Sequence, residues 1–401
     1  MSFSKEPPRD VFDAGGRGLQ HHGLRRSNER AVLTVVGFNP GVSNAEIARI
    51  SGLAPQTVSA ILSDVERAGL IERGPVLRGR RGQPATPIFL RAEGAYAVGV
   101  EIGWRHAEVV LIDLHARVLG QRRFDHAFPD AHRLLEAIAE QVEALRQELD
   151  AARRGRLRDL GIAMPSNMAA HLDLVGAPPE QAELWAGLDI AGRLQALTGL
   201  DVSIFNDGNA ACWAELIAHP RPRPANFIYF LISHYIAAGI VGEGVLWEGP
   251  NGNSANLGSM LVPAGAEGMQ LAHGIASVAA LSERLAAAGQ SQAETDPARW
   301  DWQAIAPVVD GWLADSARTL ARVIFNTTNV LETGLVVLDT ILPNDITERL
   351  VAGVTRELQT LAIRAYRPPP VAAGHVGRHA PAVGAAELPL YRRHFSRTGP
   401  E

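Results

Sequence analysis

The chain has 401 residues, with 38 Lys plus Arg against 43 Asp plus Glu and a formal net charge of −5. Taken whole, that balance excludes a basic nucleic-acid coat and a polybasic membrane binder, and about 400 residues are too many for one ordinary core. The average hides a split: residues 1–91 carry 13 basic and 8 acidic side chains (+5), and residues 92–401 carry 25 and 35 (−10). The first segment therefore suits an anionic partner and the second does not. A hydrophobic fraction of 46% fits globular packing, and no apolar run approaches the roughly 20 residues of a membrane-spanning helix. The one cysteine, Cys212, leaves no internal disulfide and no multi-cysteine zinc site, which fits the cytoplasm. Lys5 is the only lysine, and no Walker-type phosphate loop is present.

Residues 1–20 are polar and Gly-rich, lack the apolar centre of a signal peptide, and are expected to form a disordered leader. Residues 27–37 predict a short amphipathic helix with Ser27 as its N-cap, broken by Gly37 and Pro40. Then come Ser43-Asn-Ala-Glu-Ile-Ala-Arg-Ile50, the turn Ser51-Gly-Leu53, and Ala54-Pro-Gln-Thr-Val-Ser-Ala-Ile-Leu62. Helix, three-residue turn with glycine, second helix is helix-turn-helix spacing. Ile47, Leu53, Val58, Ile61 and Leu62 supply the buried faces, Ala48 lets the helices approach, and Pro55 suits a first helical turn.

The second helix presents Gln56, Thr57 and Ser59 near its N-terminal end, where side chains meet base edges and phosphates in a major groove. An αα-hairpin with a polar surface would use the same residues. The next twenty residues favour DNA: a strand from Leu70, a turn holding Arg78, Arg80 and Arg81 among glycines, and a returning strand at Pro87–Leu90. Such a β-wing places arginines where they can enter a narrow minor groove.

From residue 95 strands and helices alternate. Strands are expected at 97–102, 106–114 and 118–124, a helix at 131–152, a strand at 160–164, a helix at 190–197, and a strand at 202–205 ending in Asn206-Asp207-Gly208. A helix over 210–217 and a β-rich stretch over 227–246 come next. Helices are expected at 269–287, 302–326 and 344–366, a strand at 335–338, a last short strand after Pro368-Pro-Pro370, and a final helix from Gly384. This α/β order, met twice, implies two similar lobes facing a cleft, with ligands where strand ends meet helix starts.

The basic-winged head, Gly99-Val-Glu-Ile-Gly103 and Phe205-Asn-Asp-Gly-Asn-Ala210 together resemble the repressor branch of the ROK family (repressors, open reading frames and sugar kinases) over roughly residues 20–395. The resemblance implies a winged helix-turn-helix at 21–91, followed by a two-lobed actin-like, ribonuclease H-like ATPase fold at 92–401, with lobes at about 95–205 and 206–395. It further implies a sugar effector bound in the cleft, double-stranded DNA as partner, a homodimer or higher homo-oligomer, and a palindromic operator.

The departures from that family bear on chemistry. The family's first phosphate turn, Asp-x-Gly-Gly-Thr, stands here as Glu101-Ile-Gly-Trp-Arg105; the second, Gly-Thr-Gly-x-Gly, as Ser233-His-Tyr-Ile-Ala-Ala-Gly239. Phosphate turns need close backbone approach, which Trp104, Arg105, Tyr235 and Ile236 oppose, so ATP-dependent kinase activity is not expected, nor any cofactor. Asn206 and Asp207 match the family's sugar-binding pair, though an Asn-Asp-Gly turn also caps a helix without any ligand. In Ala255-Asn-Leu-Gly-Ser259, Asn256 replaces a sugar-binding glutamate and Ser259 a histidine that touches sugar and ligates zinc. The family's cysteine cluster is missing from 260–280, so its structural zinc is expected to be absent, and His273 reads as a surface or helix-capping residue. Ser166 and Asn167 fall where the family places a loop over the sugar, while Trp185 reads as core. Two alternatives stay open: an ATP-dependent sugar kinase with an accessory DNA-binding head, and a DNA-binding protein whose body is a ligand-blind dimerisation scaffold.

Overall fold

The computed structural model describes residues 21–76, 86–265, 268–292, 294, 296–361 and 366–395. The wing arginines Arg78, Arg80 and Arg81 and the expected leader lie outside these residues. The head opens with α1 (His21–Phe38), longer at its start than the expected 27–37, followed by α2 (Asn44–Ser51) and α3 (Pro55–Arg67). A capping box starts α2: the Glu46 amide donates to the Ser43 hydroxyl, and the Glu46 carboxylate accepts from the Ser43 amide. Gly52, left-handed at φ 69°, closes α2 and turns the chain into α3. Val32, Val36, Ile47, Val58 and Leu62 are fully buried between the three helices. Strands β1 (Ile71–Arg73) and β2 (Ile88–Leu90) pair antiparallel as the base of the wing, with Ile71 opposite Leu90.

The body starts after only Arg91–Ala95. Its first sheet contains β3 (Tyr96–Ile102), β4 (His106–Asp113) and β5 (Val118–Asp125), then, after α4 (Leu134–Gln147) and α5 (Ala151–Arg154), β6 (Leu157–Met164). The helix expected over 131–152 is thus two helices, because Asp150 caps a new start by accepting from the Arg153 amide. Next come α6 (Pro179–Gly187), α7 (Ile190–Thr198), β7 (Asp201–Asn206) and α8 (Asp207–Ala218). The second sheet begins with β8 (Phe227–Ile232), β9 (Ile236–Gly242) and β10 (Val245–Leu246).

A hairpin of β11 (Leu261–Pro263) and β12 (Met269–Leu271), then α9 (His273–Ala276) and α10 (Val278–Ala287), occupy the stretch where one helix over 269–287 was expected. Met269 and Leu271 pair with Pro263 and Leu261, and that ladder overrides their helix propensity. The chain ends with α11 (Ala306–Thr328), β13 (Val336–Thr340), α12 (Asn344–Thr360), β14 (Val371–Ala373) and α13 (Ala380–His394). The last helix starts four residues before the expected Gly384, and residues 362–365 of the expected helix over 344–366 lie outside the described residues.

Both sheets repeat one topology. Their orders are β5-β4-β3-β6-β7 and β10-β9-β8-β13-β14. In each, three antiparallel strands joined by hairpins are extended by two parallel strands, the ribonuclease H-like pattern expected from the resemblance. The helices between the sheets exchange sides. α8 leaves the first sheet after β7 and packs on β8 and β9; α13 leaves the second sheet after β14 and packs on β3 and β6. The two helices pack on each other, and glycine makes the approach possible. A β-carbon at Gly384 would run into the Ala210 carbonyl, and one at Gly161 into that of Ala385.

Head and body share one continuous apolar core, which runs from Val32, Ile47 and Leu62 through Ala211 and Trp213 of α8 to Leu388, Leu390 and Phe395 at the end of the chain. Polar ties reinforce it. Arg156 of the body donates to the Gly69 carbonyl of the head at 3.5 Å, and Arg30 of the head donates to the Arg393 carbonyl at 3.3 Å. The Phe38 and Phe395 rings meet edge-on at 6.4 Å, and Arg223 lies over Phe38 at 5.4 Å.

Candidate functional site

The cleft between the lobes holds a cavity of about 390 Å³, lined by Ser166, Asn167, Asn206, Asp207, Asn256 and Ser259. All six residues expected to contact ligand therefore gather at one place, although they come from three separate segments of the chain. Asn206 links two of those segments: its Oδ1 accepts from the Asn209 amide at 3.1 Å, capping α8, and its Nδ2 donates to Ser166 Oγ at 3.1 Å. Asn206 thus caps α8 and lines the cavity at the same time. Ser259 Oγ donates to Asn256 Oδ1 at 3.0 Å.

Asp207, the first residue of α8, accepts from the Gly208 amide at 2.9 Å. Burial of its carboxyl, with the Glu101 charge as a smaller contribution, raises it to about 6. The site thus offers a carboxylate with little hydration to lose, set among amide and hydroxyl groups. That arrangement can accept hydrogen bonds from neighbouring hydroxyls of a polyol.

The cavity also recruits His171, Tyr235, Asn253, Ser254, His273 and Glu283, which sequence reasoning did not assign to it. The placement of His273 corrects the surface or capping role expected for it. Its Nδ1 accepts from the Ile236 amide at 3.0 Å, its ring fills the space a side chain at Gly258 would take, and burial lowers it to about 4. A lone histidine ahead of a short helix carries no local sign of this. The Asn251-Gly-Asn-Ser254 run is held over the cavity by Asn209, whose Nδ2 donates to the Gly252 carbonyl at 3.2 Å. Ala255 beside it adopts φ 59°, a left-handed conformation that alanine rarely takes.

A second cleft cavity, of about 400 Å³, lies on the other side of Trp104 and is lined by Glu101, Arg105, His106, Ser233 and His234. Trp104, 8% exposed, belongs to the walls of both cavities. Its ring stands perpendicular to that of Tyr235 at 5.3 Å, with His234 at 6.5 Å. The bulky residues of the two altered phosphate turns thus meet across the cleft as one aromatic wall. His234 is lowered to about 4 by burial and by the charge of Arg105, so it is a neutral part of that wall near neutral pH. Trp185 is core, as expected: it is 5% exposed and its Nε1 donates to the Pro129 carbonyl at 2.8 Å.

On the head, Gln56 and Ser59 are exposed and Thr57 is half-buried. Ser59 Oγ accepts from Asn44 Nδ2 at 2.8 Å and donates to the Pro55 carbonyl at 2.9 Å, so it braces α3 against α2. Val58, Ile61, Leu62 and Val65 fill the opposite face of α3. Among the described residues no helix is long and apolar enough to cross a membrane.

A winged helix-turn-helix head built into a two-lobed actin-like body with a polar cleft defines the class of protein. Residues 97–391 match the family model described as the ROK family, and residues 22–82 match that of the MarR family. The chain belongs to the ROK family. It is 26% identical to protein y4fQ of Sinorhizobium fredii over 92% of each chain. It is 24% identical to the xylose repressor of Bacillus subtilis, across 60% of this chain and 61% of that one. Its fold matches the crystal structure of a ROK family transcriptional regulator, a homologue of the Escherichia coli MLC protein. That match has a TM-score of 0.70 at 20% identity and covers 92% of this chain and 97% of the other.

Proposed function

We propose that the chain is a sequence-specific DNA-binding transcriptional regulator, a repressor, whose cleft binds a sugar or sugar-derived effector that alters operator affinity. The observation that carries this reading is the path of two helices. α8 begins with Asp207 in the cavity and packs along α13, and α13 ends at Arg393 and Phe395 against the head. An effector that shifts Asn206 and Asp207 acts on the same packed seam that holds the head, so the two sites are coupled through a rigid, close-packed element. The xylose repressor relative supports the reading. The protein acts in the cytoplasm as a homodimer, one head per half-site of a palindromic operator.

The second reading is a sugar kinase with an accessory head, which Asp207 favours. Against it stands Trp104, in the wall between the cavity that would hold the sugar and the one that would hold nucleotide phosphates. Footprinting of the DNA upstream of its own gene, with and without a sugar panel, tests the proposal. Protection that changes with one sugar is expected; no protection at moderate salt, with or without sugars, overturns it. Coupled ADP release over the same panel is expected to be nil, and turnover abolished by Asp207→Asn would establish the kinase. Protection with no sugar response in calorimetry would leave only the ligand-blind scaffold.

A further inference from the structure

Away from the cleft, the end of α8 gathers a second set of ligating groups. Glu215 lies in the last turn of α8, His219 is the residue that ends the helix and donates its amide to the Glu215 carbonyl, and His375 comes from the loop between β14 and α13. A Glu215 oxygen and one ring nitrogen from each histidine all lie within 4.8 Å of one another. Glu215 is 0% exposed. It accepts from the His375 amide at 2.8 Å, and its other oxygen lies 2.7 Å from His375 Nδ1. The two imidazole rings approach edge-on at 5.1 Å. Among the described residues no arginine pairs with Glu215, whose one ion-pair partner is His375.

The Glu215 carboxylate helps raise the nearby Asp339 and Tyr229 above their ordinary ranges, after burial itself. Arg223 donates to the Ile217 carbonyl in the last turn of α8 at 2.6 Å and so offsets the negative end of that helix, but its charge is spent there and not on the Glu215 carboxylate. A buried carboxylate without a permanent cation is costly unless something positive reaches it.

We propose that Glu215, His219 and His375 form a binding site for a divalent transition-metal ion of the zinc class. Two imidazole nitrogens and one carboxylate are the donor set such ions take, with a fourth position left for solvent. Tetrahedral donors at about 2.0–2.1 Å from an ion sit roughly 3.4 Å apart. Rotation of the half-buried His219 side chain, whose Nδ1 now lies 3.0 Å from the Pro220 carbonyl, and of the exposed His375 closes the difference from the observed spread. The site is separate from residues 260–280, where the family's cysteine cluster is absent. An ion here joins the β14–α13 loop to the end of α8. Four residues beyond His219, Arg223 lies over Phe38 of the head, so the ion would fix the segment on which the head rests.

The test uses the full-length chain without an affinity tag, stripped with chelator, and titrated with Zn²⁺ by calorimetry and with Co²⁺ by visible absorption. One ion per chain is expected, with a Kd of about 1 µM or tighter. His219→Ala and His375→Ala should each weaken it by roughly 10- to 100-fold. His219 is half-buried, and its Nδ1 meets the adjacent Pro220 carbonyl rather than the Glu215 carboxylate, so His219→Ala should melt close to wild type without metal, which separates lost ligation from lost folding. His132→Ala, at another exposed histidine, should leave affinity unchanged. No saturable binding at about 100 µM Zn²⁺, or wild-type affinity in both ligand variants, overturns the proposal and leaves Glu215 and His375 as an ion pair only.

Discussion

Asp207→Asn separates the stability role of this carboxyl from its ligand role. An aspartate raised from its ordinary range to about 6 is favoured in its neutral form by the folded state. The unfolded chain ionises it near pH 4, so stability is greatest below that and falls as pH rises, until the folded carboxyl also ionises near 6. The full gap is worth about 3 kcal/mol at most, since the residue is partly open to the cavity. Between about pH 4.5 and about pH 8 wild type should lose roughly 2 kcal/mol that the asparagine variant does not. For a chain of this length that is about 2–3 °C in Tm. Scanning calorimetry at the two pH values therefore predicts an asparagine variant that gains on wild type as pH rises. Ligand affinity should move the other way at neutral pH. A carboxylate hydrogen bond contributes about 1.5–3 kcal/mol, so effector binding should weaken roughly 10- to 100-fold in the variant. A Tm difference independent of pH would refute the burial argument, and unchanged effector affinity would remove Asp207 from the ligand site.

The helix seam and the head carry further expectations. Gly384→Ala forces a β-carbon into the Ala210 carbonyl and should reduce soluble folded protein sharply, whereas Gly187→Ala, with open space around it, should not. Arg393→Ala leaves the buried Asp159 without its bidentate partner and also frees Asp201. A loss of about 3 kcal/mol in denaturant unfolding is expected, together with weaker attachment of the head, read by limited proteolysis. Arg80→Ala, at a residue the sequence predicts to lie in the wing, should weaken operator binding and lower its salt dependence by about one phosphate equivalent if Arg80 contacts phosphate. If it instead reads a narrow minor groove, preferred sites should weaken more than random DNA, and unchanged affinity would take the wing out of the DNA site.

The sequence by itself determined what is local. Hydrophobic spacing and turn residues placed the two helices around Gly52, the wing strands and the repeated order of strands and helices, because periodicity and capping act over a few residues. Charge placed the basic segment at the head, and the replaced small residues identified Trp104 and Tyr235 as obstacles to phosphate. Tertiary structure decided what depends on distant segments meeting. The β11–β12 hairpin formed where helix was expected, because Leu261 and Leu271 found each other across a turn. His273, expected at the surface or as a helix cap, became a cavity wall because Gly258 leaves room for its ring. The head is not a module on a tether: its core continues through α8 to Phe395 at the far end of the chain. Glu215 and His375 meet across 160 residues for the same reason. Such encounters arise from the exchange of α8 and α13 between two sheets, and a pattern read a few residues at a time contains no trace of that exchange.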